Sequence, residues 1–322
     1  MAVTEFDVPQ AAERLDDVVE EIRSTVIADR EFLETVLLGI LARGHVLLED
    51  VPGTGKTLTA NSFANAFGLD FSRIQFMPDL LPNDVSGTNI YNEHEGTFEF
   101  NRGPIFGNVV LADEINRAPP KTQAALLEAM QEKQVTVEGE TRELPEPFFV
   151  IATQNPVEQE GTFPLPEAQV DRFFVKTELG YPDEEGDLRI LRRRGDRTES
   201  TPSAGRVLDS AEEVLALQQV PEQVRVVEEM LVYLTEICRM TREDHRARVG
   251  VSPRGMQRLF ECTRARAVIE GREYATPGDV KAIAEPVLAH RLVLTAEAQV
   301  NDVDKRAIVR DVLDEIPVPT VE

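Results

Sequence analysis

Between Ala11 and Ala42 apolar residues recur at helical spacing, first Leu15, Val18, Val19 and Ile22, then Phe32, Leu33, Val36, Leu37, Ile40 and Leu41. This spacing predicts two amphipathic helices. Val46-Leu47-Leu48 then reads as a strand, the turn Pro52-Gly53-Thr54-Gly55 follows, and a helix runs from there to about Phe67. Further short apolar runs, at Ile74 to Phe76, Val109 to Leu111, Phe148 to Ile151 and Phe173 to Val175, alternate with helical stretches. Near-continuous apolar strands separated by helices predict an α/β fold with a parallel sheet covered on both faces.

Two stretches depart from that rhythm. Between Pro82 and Pro104 the pattern shortens to alternation, with Ile90, Phe98 and Phe100 around Gly96, which predicts a hairpin beside a helix. Val135 and Val137 before Glu138-Gly139-Glu140, then Leu144, predict a second. After Leu179 no strand is predicted. Pro182-Asp183-Glu184-Glu185 opens a helix that Arg192-Arg193-Arg194 closes before Gly195, its cations complementing the helix dipole. Thr198 to Gly205 reads as a connector. Pro221 is placed in the first turn of a helix bearing Val224, Val227, Leu231, Leu234 and Ile237. Ser252-Pro253 and Thr276-Pro277-Gly278-Asp279 cap and start two more, and a last helix lies around Val303 to Leu313. The organisation expected is an α/β domain with N-terminal helices over 1–180, a linker helix and loop over 181–204, and an all-α domain over 205–322.

Composition narrows the classes. A chain of 322 residues exceeds one usual core, and 42% hydrophobic content is enough for two. Acidic residues outnumber basic ones 58 to 34, for a net charge of -24, which argues against a surface that neutralises phosphate backbones. The same excess fits a very salty cytoplasm, where dense carboxylates keep a protein dispersed. Cys238 and Cys262 lie in apolar helical patterns without a Cys-x-x-Cys spacing, so buried free thiols in a reducing compartment are expected. Neither a signal peptide nor a membrane span is visible, the longest wholly apolar or Gly run being Val36 to Ala42, and a cytoplasmic location is expected. His45, His94, His245 and His290 are scattered and form no ligand cluster.

The sharpest local signal is Gly53-Thr54-Gly55-Lys56-Thr57, placed after a strand and opening a helix. In such a turn backbone N–H groups face phosphate oxygens, the helix N-terminus adds positive potential, Lys56 neutralises phosphate, and the Thr57 hydroxyl suits Mg²⁺. The candidate nucleotide-binding set is Pro52, Gly53, Thr54, Gly55, Lys56, Thr57 and Leu58, with Asp50 standing where the consensus has its first glycine. Val109-Val110-Leu111 then ends in Ala112-Asp113-Glu114. Asp113 would reach Mg²⁺ and Glu114 would polarise the attacking water. Asn155, ending the neighbouring strand, could hydrogen-bond both phosphate and water. Arg172, ahead of the last strand, could pair locally with Asp171 or Glu167 or reach a neighbouring subunit's nucleotide. Arg254 falls in the first turn after the Ser252-Pro253 cap, where a cation opposes the dipole unless it faces phosphate.

Leu48 to Thr57, Arg73 to Pro82, Leu111 to Gln123, Leu126 to Glu132 and Pro166 to Phe173 together resemble the MoxR family of AAA+ ATPases, over nearly the whole chain. The resemblance implies a P-loop AAA+ core with two hairpin insertions and a helical lid. It assigns Lys56 and Thr57 to Walker A, Asp113 and Glu114 to Walker B, Asn155 to the first sensor, Arg172 to an arginine finger in trans and Arg254 to the second sensor. It also implies ATP, Mg²⁺, and a hexameric ring that remodels or activates partners, often ones with a von Willebrand factor A domain. The family's usual Val-Gly-Gln-Glu near the adenine reads here Ile27-Ala28-Asp29-Arg30. Together with the charge, the resemblance suggests a salt-adapted archaeal source. The alternatives are a nucleic-acid motor, which the net charge disfavours, a magnesium-chelatase-type subunit, and a nucleotide-gated scaffold without turnover, which Glu114 and Arg172 together disfavour.

Overall fold

The computed structural model describes residues 5–51, 53–156, 161–196 and 203–320. Pro52 and part of the connector after Thr198 lie outside the described residues. Two helices lead, α1 (Val8–Thr25) and α2 (Arg30–Leu41). Asp7 starts the first by accepting from the Gln10 N–H at 2.8 Å, while the Gln10 side chain accepts from the Asp7 N–H at 3.2 Å. Next come β1 (Val46–Glu49), α3 (Lys56–Ala66) and β2 (Phe71–Gln75). The first insertion is α4 (Pro82–Ser86), β3 (Gly87–Asn92) and β4 (Thr97–Arg102). Then follow β5 (Val109–Asp113), α5 (Pro120–Glu132) and the second hairpin, β6 (Gln134–Val137) with β7 (Glu140–Glu143). The series closes with β8 (Phe149–Gln154), α6 (Glu167–Val170) and β9 (Val175–Thr177).

The five-stranded sheet runs β2-β5-β8-β1-β9 with every pairing parallel. Successive residues of its central strands serve opposite cores. Val46, Leu48, Val109, Leu111, Phe149 and Ile151 join one with α1, α2 and α3, and Leu47, Val110, Ala112, Val150 and Ala152 join the other with α5. Such two-sided burial is why these strands read as unbroken apolar runs. The hairpins meet as one projection, Asn89 Nδ2 donating to Glu138 at 2.7 Å and Arg142 stacking 4.0 Å from the Phe100 ring centre.

Beyond the sheet lie α7 (Glu184–Asp196), α8 (Ala211–Leu217), α9 (Glu228–Glu243), β10 (Ala247–Val249) and α10 (Pro253–Ile269). They are followed by α11 (Pro277–Leu288), β11 (Val293–Leu294), α12 (Ala296–Val300) and α13 (Lys305–Glu315). The lid shares its apolar core with α1 and α2. Buried Gln218 donates to the Ile40 carbonyl at 2.8 Å, and Arg266 pairs with Glu34 at 2.7 Å.

Four details differ from the sequence pattern. Strand β9 starts at Val175, opposite Val46 at the start of β1, and the carbonyls of Phe173 and Phe174 before it are taken by the Arg291 guanidinium, at 2.8 and 3.2 Å. Helix α7 continues through Gly195. Pro221 sits in a short 3₁₀ turn, and α9 begins only at Glu228. The lid also holds an antiparallel ribbon, β10 with β11, too short to register as alternation.

Candidate nucleotide site and a second, cationic cavity

Strands β1, β5 and β8 all end at one edge of the sheet, the edge where parallel α/β sheets receive ligands. Gly53 (φ 88°) and Gly55 (φ 104°) hold left-handed conformations that a side chain would strain, so the loop turns sharply into the α3 N-terminus. Lys56 Nζ donates to the carbonyls of Asp50 and Val51 at 2.8 and 2.9 Å, curled onto its own loop. Thr54 donates to the Val51 carbonyl at 3.3 Å, and Thr57 is exposed. Asp50 is buried. Its Oδ1 accepts from the Val51 N–H at 2.8 Å, and its Oδ2 accepts from the Leu179 and Gly180 N–H groups, each at 3.1 Å. The residue in the glycine's place thereby ties the loop to the segment leaving β9.

Asp113 Oδ1 accepts from the Thr153 hydroxyl at 2.7 Å, and that hydroxyl accepts from the Glu114 N–H at 2.8 Å. Glu114 stands at φ 56°, ψ 50°, a conformation costing a non-glycine residue about 1–3 kcal/mol and concentrated at functional sites. Its carboxylate accepts from Gln75 Nε2 at 2.8 Å and lies 3.4 Å from Arg117 Nε. Gly53, Gly55, Lys56, Thr57, Leu58, Asp113, Glu114 and Asn155 line one cavity of about 660 Å³, together with Asn61, Phe71 and Arg73. The Thr57 hydroxyl and Asp113 carboxylate are hard oxygen donors within it, the donor chemistry Mg²⁺ takes. Arg73, Gln75 and Thr153 also belong to this site, and no local motif gives them a role there. The signal for two of them is the two-residue spacing of Arg73 and Gln75, which puts both on one face of β2.

Arg172 and Arg254 are elsewhere. Arg172 precedes the start of β9, whereas the phosphate loop follows the end of β1, and these strands run parallel. Arg172 therefore belongs to the opposite edge of the sheet. It lines a cavity of about 350 Å³ with Arg254, Arg43, Lys133, Arg258 and Arg264. This cavity shares no lining residue with the first. Arg258 pairs with Glu261 and Arg264 with Glu222, while among the described residues Arg172 and Arg254 enter no ion pair. Asp171 and Glu167, the local partners considered for Arg172, face Arg291 and Arg248 instead. Buried Arg291, a lid residue unnoticed in the sequence, grips the carbonyls of Asp171, Phe173 and Phe174 and so fixes the segment carrying Arg172. Arg254 projects from the first turn of α10, whose Ser252 cap accepts from the Gly255 N–H at 3.0 Å.

A parallel sheet with a phosphate loop after its first strand, an Asp-Glu pair ending a neighbouring strand and a helical lid defines an AAA+ P-loop ATPase. A family model described as "ATPase family associated with various cellular activities (AAA)" matches residues 45–175, and one described as "AAA lid domain" matches 239–312. The chain is 46% identical over 307 residues to YeaC of Bacillus subtilis (strain 168), covering 95% of each chain. It is 40% identical over 316 residues to "Chaperone MoxR1" of Mycobacterium tuberculosis, covering 95% of this chain and 83% of that one. A crystal structure described as an ATPase from Cytophaga hutchinsonii superposes with a TM-score of 0.89 at 41% identity, over 96% of both chains. The chain belongs to the MoxR family of AAA+ ATPases. The relatives named here are bacterial and give the archaeal, salt-adapted source no support. Among the described residues no helix is long and apolar enough to cross a membrane, and no His, Cys, Asp and Glu side chains cluster as a metal site.

Proposed function

We propose that this protein hydrolyses ATP to ADP and phosphate at the interfaces of a homo-oligomeric, hexameric ring, and uses that cycle to remodel or activate partner proteins in the cytoplasm. The observation that carries the reading is the separation of its cations. Lys56 lines the cavity at the ends of the strands, and Arg172 and Arg254 line another at their beginnings. A guanidinium that serves ATP in trans has to sit away from its own chain's phosphates, and both arginines meet that condition.

In this reading the loop from Pro52 to Leu58 cradles the phosphates, Lys56 neutralises them, and Glu114 takes the proton of the attacking water. Asn155, buried at the end of β8, orients water and phosphate. Thr57 and Asp113 hold Mg²⁺, which when bound offsets the charge on the phosphate oxygens. Arg172 and Arg254 of a neighbour complete the charge stabilisation, an arrangement worth about 10³–10⁵ in rate where arginine fingers have been measured. Residues 1–180 act as the motor and 205–322 as a lid that positions Arg254 for the next subunit.

The partner class is the one suggested by the family, proteins with a von Willebrand factor A domain, and the net charge of -24 weighs against nucleic acid as the partner instead. A salt-adapted source rests on the net charge of -24 alone. Light scattering with and without ATP tests the ring. Assembly with ATP, and hydrolysis rising more than linearly with protein concentration, are expected; a fully active monomer rejects the proposal. Loss of assembly at low salt, as unscreened carboxylates repel, tests the salt reading.

A further inference from the structure

Arg73 opens the Arg73 to Pro82 segment but is given no role in the site described above, and it lines the nucleotide cavity. Its Nε and Nη2 both donate to Asp113 Oδ2, at 3.2 and 2.6 Å, and Nη2 also donates to Gln75 Oε1 at 2.6 Å. The other Asp113 oxygen accepts from Thr153 at 2.7 Å. Both oxygens of the carboxylate are therefore engaged within the protein itself. The Asp113 side chain is 11% exposed and that of Arg73 46%, so the guanidinium covers the carboxylate from the open side of the cavity.

We infer that Arg73 is a stand-in cation for Asp113, holding its outward oxygen before nucleotide enters and competing with Mg²⁺ for it afterwards. This rests on the reading of the cavity as an ATP site. The geometry makes the exchange local. Arg73 sits on β2, a terminal strand of the sheet, and half its side chain is open to solvent, so it can leave without disturbing buried packing. Thr153 stays, keeping Asp113 in place through the exchange. Gln75 bridges Arg73 to Glu114, so release of Arg73 removes one of the bonds that hold the Gln75 side chain in place against Glu114. Arg73 is a positioning residue in this scheme, acting on the reaction through Asp113 and Gln75.

The test is a binding measurement that needs no turnover. A fluorescent ATP analogue is bound in EDTA, Mg²⁺ is then raised, and the Mg²⁺ concentration at half-maximal tightening is read for wild type, Arg73→Gln and Arg73→Lys. An ion pair of this exposure is worth a factor of up to about five, so Arg73→Gln is expected to lower the midpoint by about three- to fivefold. Arg73→Lys, with charge but without the forked donors, falls between. Affinity in EDTA stays near that of wild type. An unchanged or raised midpoint in both variants overturns the inference, as does a large loss of EDTA affinity with no midpoint shift, which would make Arg73 a phosphate ligand. Failure of wild type itself to bind the analogue would instead reject the ATP site.

Discussion

Gln75 donates its side-chain amide to Oε2 of Glu114 at 2.8 Å, with Arg117 Nε 3.4 Å from the same oxygen. The carboxylate is thus held in a defined pose above a strained backbone, and its chemistry can be removed without changing its shape. Glu114→Gln is expected to bind ATP as wild type does and to lose turnover by about 10²–10⁴, the usual worth of a positioned base. Single-turnover phosphate release alongside nucleotide binding reads both. Undiminished release would assign the base to another residue.

Because Arg172 and Lys56 occupy opposite edges of the sheet, defects in the two sites should complement each other. Arg172→Ala alone and Glu114→Gln alone are each expected to be nearly inactive. In a mixed ring, a subunit with an intact Glu114 can receive Arg172 from its Glu114→Gln neighbour. Mixing the two inactive proteins should therefore restore ATP hydrolysis, and pairing Arg254→Ala with Glu114→Gln should do the same. Steady-state phosphate release after subunit exchange measures it, and persistent inactivity in exchanged rings would place the arginines in cis.

The core carries a proton-linked weakness at His45. Its Nδ1 accepts from the Val150 N–H at 3.0 Å while Nε2 lies 3.0 Å from the Met130 carbonyl, so the neutral ring uses both nitrogens and a second proton has nowhere to go. Burial lowers its pKa from 6.5 to about 4. The unfolded chain then binds the proton more readily, so the contribution to stability is complete above pH 6.5 and is lost as pH falls toward 4. The loss is of order 3 kcal/mol, and buried His290, lowered by burial in the same direction, adds to it. Urea unfolding at pH 7.5 and pH 5 should show the drop, and His45→Gln, which keeps a donor and an acceptor, should flatten it. An unaltered slope in that variant would assign the acid sensitivity to other groups.

The strand ends that build the nucleotide cavity were legible because sheet geometry puts them there once the strands are recognised. Val109 to Asp113 is buried throughout, so its apolar run and the acids that end it stand out. Arg73 and Gln75 are not legible as site residues, although the segment holding them carries the family resemblance, because β2 is a terminal strand in which Ile74 alone is buried. Arg254 was legible as a capped first-turn arginine but not as a companion of Arg172. Its position depends on how the lid docks, through contacts such as Arg266 with Glu34 and Gln218 with Ile40 that no local pattern encodes. The grip of Arg291 on the Arg172 segment was hidden for the same reason.

Asp50 departs from the phosphate-loop consensus, and the structure gives the departure a use. Its carboxylate is the acceptor for the Leu179 and Gly180 N–H groups at 3.1 Å, joining the loop to the chain that leaves β9 toward α7. Asp50→Gly, which restores the consensus residue, removes both bonds and frees the backbone at the loop's start. Unpaired donors of this kind cost about 1–3 kcal/mol when buried, and less here because Leu179 and Gly180 are only partly covered. The expected result is a melting temperature lower by a few degrees and weaker ATP binding, since ordering of the loop would then have to accompany nucleotide entry. Asp50→Asn keeps one acceptor but can turn an N–H toward those donors, so it should recover only part of the loss. If Asp50→Gly melts and binds ATP like wild type, the tether contributes nothing and the aspartate is a tolerated substitution for glycine.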